Sequence, residues 1–143
     1  MPKLKLKIVT PERVLLETEV DSLSCPTQMG EVTILPGHIP LVASIIPGEL
    51  KVVEAGETKH MAVAGGVIEV RLQNEIVVLA DAAEAPEEID VKRAEEARER
   101  ARKIMNEQIL SDEEYAATAA ALEKSLARIR VARRRKYQNV GRT

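Results

Sequence analysis

The chain has 143 residues, a formal net charge of -2, and only Tyr115 and Tyr137 as aromatics, with no Phe or Trp. A core must then be built from Val, Ile, Leu and Ala, and the aromatic platforms on which bases or sugars stack are missing, which argues against a nucleic-acid or carbohydrate binder. Cys25 is the sole cysteine, so an intrachain disulfide and a multi-cysteine metal site are excluded and a reducing compartment is expected.

At the start of the chain Leu4, Leu6 and Ile8 alternate with Lys3, Lys5 and Lys7, the pattern of a half-buried antiparallel strand. No stretch approaches the roughly twenty apolar residues that span a bilayer. The protein is therefore expected to be soluble, or held to a membrane only through partners. Thr10-Pro11 ends the first strand, and Val14–Val20 and Ser22–Pro26 give the next candidates, with Pro26 restricting the latter to an edge or a strand end. Val32–Leu35 runs into Pro36-Gly37-His38-Ile39-Pro40, a turn fixed by two proline φ angles and one permissive glycine. Further strands follow at Leu41–Ile46, Glu49–Val53, Thr58–Ala64, Val67–Val70 and Glu75–Ala80, separated by Pro47-Gly48, Gly56, Gly65-Gly66 and Gln73-Asn74. Gly65-Gly66 permits a bulge or a close backbone approach. Short strands at this spacing predict a β-sandwich or flattened barrel of roughly ten strands over residues 1–85.

This half shows little chemistry. His38 and His60 are the only histidines, and neither sits in a metal-ligand spacing or beside a nucleophile motif, so no catalytic residue and no metal are expected. His38 reads as a surface or turn contact. Gly65-Gly66 is no phosphate loop, because no Lys-Ser/Thr pair follows and a strand comes next.

Between Ala80 and Asp90 the chain changes character: a period near two gives way to one near 3.6, and Gly and Pro vanish after Pro86 until Gly141. The fold class is therefore mainly β and then α, with residues 86–143 forming a helical hairpin. Asp90 is placed as an N-cap, and Ala94, Ala97, Ala101, Ile104 and Met105 share one helical face. Ser111-Asp112-Glu113-Glu114 is a capping box that starts a second helix, along which Tyr115, Ala119, Leu122, Leu126 and Ile129 recur. An alanine contributes much less than the ~1.5–3 kcal/mol of a buried Leu or Ile, so the hairpin's hold should be marginal. Two readings stay open: a hairpin that opens and offers its apolar stripe to another protein, or one permanently folded on the sandwich. From Arg128 onward the chain carries Arg128, Arg130, Arg133, Arg134, Arg135, Lys136 and Arg142 with no acid, about +7 in all, which seeks an acidic partner, a phosphate backbone or an anionic membrane surface.

The run Gly30-Glu31-Val32-Thr33-Ile34-Leu35-Pro36-Gly37-His38-Ile39-Pro40-Leu41, then Ala64–Val70, Val78–Asp81 and the alanine-rich hairpin, resemble the epsilon subunit of the bacterial and chloroplast F-type ATP synthase. The likeness covers nearly the whole chain. It implies a non-catalytic subunit of a proton-translocating rotary motor, whose sandwich grips the gamma subunit and touches the ring of c subunits. Its hairpin lies folded or extends upward to inhibit ATP hydrolysis. Glu31 and His38 match the family's ring-facing loop. Arg128, Arg130, Arg133, Arg134 and Arg135 match the basic helix that meets an acidic segment of the catalytic beta subunits, with alpha alongside. Nucleic acid is not an expected partner, and membrane association is expected only through the complex, at the cytoplasmic face of a bacterial membrane rather than in a thylakoid.

Ile89-Asp90-Val91-Lys92-Arg93-Ala94 resembles the motif that marks ATP binding in some bacterial epsilon subunits. No cofactor is required on this reading, and ATP is a regulatory ligand. The resemblance implies Glu84, Ile89, Asp90, Arg93, Arg100 and Arg128 as its contacts. Where ATP-binding members place a further arginine, this chain has Lys124, a point charge instead of a fork. The alternative to the whole reading is a soluble β-sandwich module whose basic helical tail binds nucleic acid or a membrane surface.

Overall fold

The computed structural model describes residues 2–140, with side chains through residue 134. Ten strands come first: β1 (Leu4–Val9), β2 (Val14–Val20), β3 (Ser22–Thr27), β4 (Gly30–Ile34), β5 (Leu41–Ile45), β6 (Gly48–Glu54), β7 (Glu57–Val63), β8 (Gly66–Arg71), β9 (Glu75–Ala80) and β10 (Ala83–Glu84). A 3₁₀ turn at Pro86–Glu88 then leads into α1 (Val91–Glu107) and α2 (Asp112–Val140). The expected order of sandwich and hairpin is what the chain adopts.

The strands pair in the order β10-β7-β6-β3-β5-β8-β9-β1-β2, with β4 attached to β3 alone. All these pairings are antiparallel except β1 with β9, which sets the first strand beside the last long one. The sheet folds back on itself, so that Thr18 on β2 donates from its hydroxyl to Glu54 on β6 at 3.3 Å. Alternation drives the burial: Leu4, Leu6 and Ile8 point inward to join Val20, Leu23, Ile34, Leu50, Val52, Val63, Ile68, Ile76 and Val78, all essentially inaccessible to water. Cys25 lies in the same interior, where burial pushes its thiol pKa up to about 12 and leaves it a small hydrophobe.

Two local features explain the sharpest constraints. Gly66 has φ +129°, and a Cβ built there would stand 2.1 Å from the carbonyl oxygen of Leu79, so only glycine lets β8 approach β9 this closely. Leu72, Gln73 and Asn74 connect β8 to β9 past the Arg71–Glu75 pair, and Gln73 and Asn74 turn the chain in the left-handed region, at φ 64° and 60°. Pro26 was expected at an edge or a strand end. β3 is interior to the sheet, with β4 on one flank and β6 and then β5 on the other, and Pro26 is its penultimate residue, where the pairing passes from β6 to β5.

Both helices start as their caps demand. The Asp90 carboxylate accepts from the Arg93 N–H at 3.1 Å, and Ser111 and Glu114 exchange the two bonds of a capping box, at 3.1 and 3.4 Å. In α1 only Ala94 and Ala101 are fully buried; Ala97, Ile104 and Met105 are half-buried on the same face. In α2 no residue from Asp112 to Lys124 is fully buried, whereas Ser125, Ala127, Ile129, Val131 and Ala132 all are. The expected stripe captured one face of α2, of which Ile129 is buried and Ala119, Leu122 and Leu126 are half-buried. It included Tyr115, which is exposed. It also missed the second face, carrying Val131 and Ala132, which meets the sheet.

Candidate functional site

α2 lies against β7, β6 and the turn at Pro86–Glu88, with α1 alongside it. Its apolar seam with the sheet joins Val131 and Ala132 to Ala62 of β7 and to Ile89, with Val91 at the margin. Two forked ion pairs stand on either side of Val131 along the helix. Arg128 donates through Nε and Nη2 to the Glu84 carboxylate of β10 at 2.7 and 3.2 Å. Arg134 donates through Nε to Glu49 Oε1, and through Nη2 to Oε2 at 3.2 Å. Such two-pronged guanidinium contacts carry geometric specificity as well as charge.

Glu49 has a second neighbour. His60 Nδ1 lies 2.6 Å from Glu49 Oε1, close enough for ionic contact but off the line of a hydrogen bond, so this buried nitrogen has no aligned partner. Burial pushes the Glu49 carboxyl up, but the bonds and charge of Arg134, with the adjacent His60, together outweigh it and hold the pKa below the ordinary carboxylate value. Burial, then the charge of Arg134, hold His60 below the usual imidazole range against the opposing pull of Glu49.

The structure thus divides the basic run. Arg128 and Arg134 hold α2 to the sandwich, while Arg130 and Arg133 are exposed. Arg135 falls within α2, but its side chain lies outside the described residues, as do Lys136 and Arg142. Of the nucleotide candidates, Glu84 and Arg128 are joined to each other, and Asp90 and Arg93 form a second pair, Nε to Oδ2 at 3.6 Å, at the start of α1. Ile89 is buried in the seam, and Arg93, Arg100 and Lys124 are exposed.

Glu31 is exposed on the lateral strand β4, and His38 sits half-buried in the loop that follows it. That loop is braced by the Gly37 N–H donating to Asn74 Oδ1 at 2.7 Å and by the His38 N–H donating to Leu35 O at 3.1 Å. The brace presents Leu35, Ile39 and Leu72, the last two 75% and 73% exposed, at one end of the sandwich.

A second surface escaped the sequence reading. Register sets Val14, Val9, Leu79 and Val67 side by side across β2, β1, β9 and β8, all on the outer face, with Val42 in the adjacent row. Val14, Val42, Val67 and Leu79 are all exposed. The available signal was the unbroken run Ile76–Ala80: a strand with only one covered face alternates, and this one does not.

A β block with a docked helical hairpin and bare apolar surfaces is the architecture of a docking subunit. The first family model, "ATP synthase, Delta/Epsilon chain, beta-sandwich domain", matches residues 3–86, and the second, "ATP synthase, Delta/Epsilon chain, long alpha-helix domain", matches residues 87–133. The chain belongs to the ATP synthase delta/epsilon family. Similar relatives include the ATP synthase epsilon chain of Dehalococcoides mccartyi, 44% identical over 98% of this chain and 100% of the relative. That of Herpetosiphon aurantiacus is 44% identical over 93% and 96%, and that of Carboxydothermus hydrogenoformans 50% identical over 70% and 74%. Among solved structures, a chain of the Euglena gracilis mitochondrial ATP synthase OSCP/F1/c-ring assembly superposes with a TM-score of 0.74 at 25% identity, covering 86% of this chain and 77% of that one. The central stalk/c-ring structure from Tetrahymena thermophila, at 15% identity and TM-score 0.68 over 91% and 96%, shares the fold. The chain is accordingly a non-catalytic central-stalk subunit of an ATP synthase. Among the described residues, no helix is long and apolar enough to cross a membrane.

Proposed function

We propose that the hairpin is a releasable brake: docked on the sandwich it permits rotation, and raised beside gamma it inhibits ATP hydrolysis by the beta and alpha subunits. One observation carries this reading. Among the described residues, the seam under α2 is small and half alanine, Ala62, Ile89, Val131 and Ala132 with Val91 at its margin, and two ion pairs flank it. Ile89 and Val131 contribute about 3–6 kcal/mol between them and each alanine under about 1, before the cost of desolvating the charged groups is subtracted. A ligand or partner binding one position of the hairpin reverses a balance of that size.

The sandwich is the fixed part. On this reading the outer row Val14, Val9, Leu79 and Val67 seats gamma. The end formed by Leu35, Ile39 and Leu72, with Glu31 and His38 beside it, meets the c ring. Bare apolar area of this kind marks interaction sites. The complex would hold the chain at the cytoplasmic face of a proton-translocating membrane, through its partners alone. Raising α2 would turn Arg128 and Arg134 outward beside Arg130 and Arg133, so the helix gains charge for an acidic segment of beta as it leaves.

Arg130 and Arg133 are free of docking contacts among the described residues, which makes them the clean test. Replacing both with alanine should leave docking intact and relieve inhibition of hydrolysis several-fold in the assembled enzyme. Wild-type inhibition should itself weaken with salt, since exposed charges are screened beyond about 8 Å at physiological ionic strength. Undiminished inhibition in the double variant removes the electrostatic account.

ATP fits the same reading as a ligand of the docked hairpin, held by Glu84, Ile89, Asp90, Arg93, Arg100 and Arg128. Support comes from Arg128, which already ties α2 to β10, and from the forked donors it can turn to a phosphate. Because Glu84 occupies that fork, nucleotide must share or replace the carboxylate. At a hundredfold over its dissociation constant ATP would favour docking by about 2.7 kcal/mol.

A further inference from the structure

We propose that Glu49, His60 and Arg134 form an acid-released clasp, in which protonation of His60 frees α2 from the sandwich. The proposal rests on the releasable hairpin described above and adds the signal that releases it.

The geometry places one carboxylate between two groups that compete for it. On the outer face of the sheet Glu49 of β6 stands opposite Ala62 of β7, and Lys51 stands opposite His60. α2 covers this square. His60 and Glu49 are 12% and 10% exposed at the side chain. Glu49 Oε1 takes the Arg134 Nε–H and also faces His60 Nδ1 at 2.6 Å, while Oε2 takes Nη2. A neutral imidazole tolerates this arrangement, because the carboxylate can serve Arg134 with both oxygens.

A proton on His60 changes the balance. The square would then hold the His60 imidazolium, Arg134 and the Lys51 ammonium around the single Glu49 carboxylate, in a place largely shielded from water. Of these groups only Arg134 lies off the sheet, on α2. Its withdrawal leaves Glu49 to accept from the imidazolium at a distance already suited to an ionic bond, so the carboxylate exchanges partners and is never left bare. The other forked pair, Arg128 with Glu84 on β10, contains no histidine.

The sign follows from linkage. His60 is held below its ordinary 6.5 while α2 is docked, by burial first and the Arg134 charge second. Release removes both influences, so the released state binds the proton more readily. Docking is therefore favoured above pH 6.5 and weakens as pH falls through the docked value, with one linked proton changing the ratio by up to about tenfold per pH unit. Glu49, below its ordinary 4.5, stays charged across that window. Acidification would thus raise the brake.

The test uses the full chain with a donor–acceptor fluorophore pair at the exposed positions Glu57 and Glu123, titrated from about pH 8 to about pH 5, with the His60 ring followed by NMR. Expected is a reversible separation of α2 from the sandwich below pH 6.5, absent in His60→Gln. In Arg134→Ala the His60 titration should move up toward its ordinary value. An unchanged acid response in His60→Gln overturns the clasp. The Arg128→Ala/Arg134→Ala double variant at pH 8 separates the two ideas. If it releases α2 while the wild type holds through acid, the clasp fails and the mobile hairpin stands; if it too stays docked at every pH, both fail.

Discussion

The interior of the sandwich and the seam beneath α2 are built on different terms. Among the described residues, nineteen buried side chains, mostly Leu, Ile and Val, form one continuous cluster inside the sandwich, against four in the seam, two of them alanine. At about 1.5–3 kcal/mol for each large apolar side chain, the first cluster sets the stability of the fold, and the second sets only where the helices rest. Register reinforces the contrast: β1, the first strand of the chain, is held on both sides, by β2 and by β9. The hairpin meets it across one narrow strip. A subunit that must stay seated while part of it moves needs this unequal division.

The contrast breaks first in the sandwich. Leu50 is inaccessible to water, and Leu50→Ala should cost about 2–5 kcal/mol of global stability, read as a lower denaturant midpoint for the whole sheet. A loss below about 1 kcal/mol would mean the interior is looser than its burial implies. Val131→Ala removes two methyl groups from the seam, about 1.5 kcal/mol. That loss should appear as faster amide exchange in α2 with strand protection unchanged. Equal acceleration in β6 and β8 would make the two regions one cooperative unit and abolish the comparison.

The order of elements was open to reading because two periods separate cleanly at Pro86, and the capping box at Ser111 and the cap at Asp90 follow from local chemistry that no tertiary contact overrides. What the sequence hid was pairing. Glu49 and Arg134 are 85 residues apart, and nothing in the alternation of β6 marks Glu49 as half-covered while Lys51 two residues on takes the same face. Arg128 and Arg134 looked like members of one solvated run, yet the helix turns them to carboxylates and leaves Arg130 and Arg133 in water. The outer row of Val14, Leu79 and Val67 was hidden for the opposite reason: each lies in an apolar run that reads as core until register shows which face is covered.

The smallest effect is expected at the far end of the hairpin. Ser111 Oγ accepts the Glu114 N–H at 3.1 Å and holds the first turn of α2. Ser111→Ala should cost about 1 kcal/mol of helix start. Because no residue from Asp112 to Lys124 is fully buried and only Thr118, Ala119 and Leu122 are half-buried, that loss has little packing through which to spread. Amide exchange should accelerate over those first turns and leave Val131, Ala132 and both forked ion pairs in place. If fraying at Ser111 instead releases the whole helix, α2 docks as one rigid rod whose two ends stabilise each other, and the hold on the hairpin does not reside in the seam at its base.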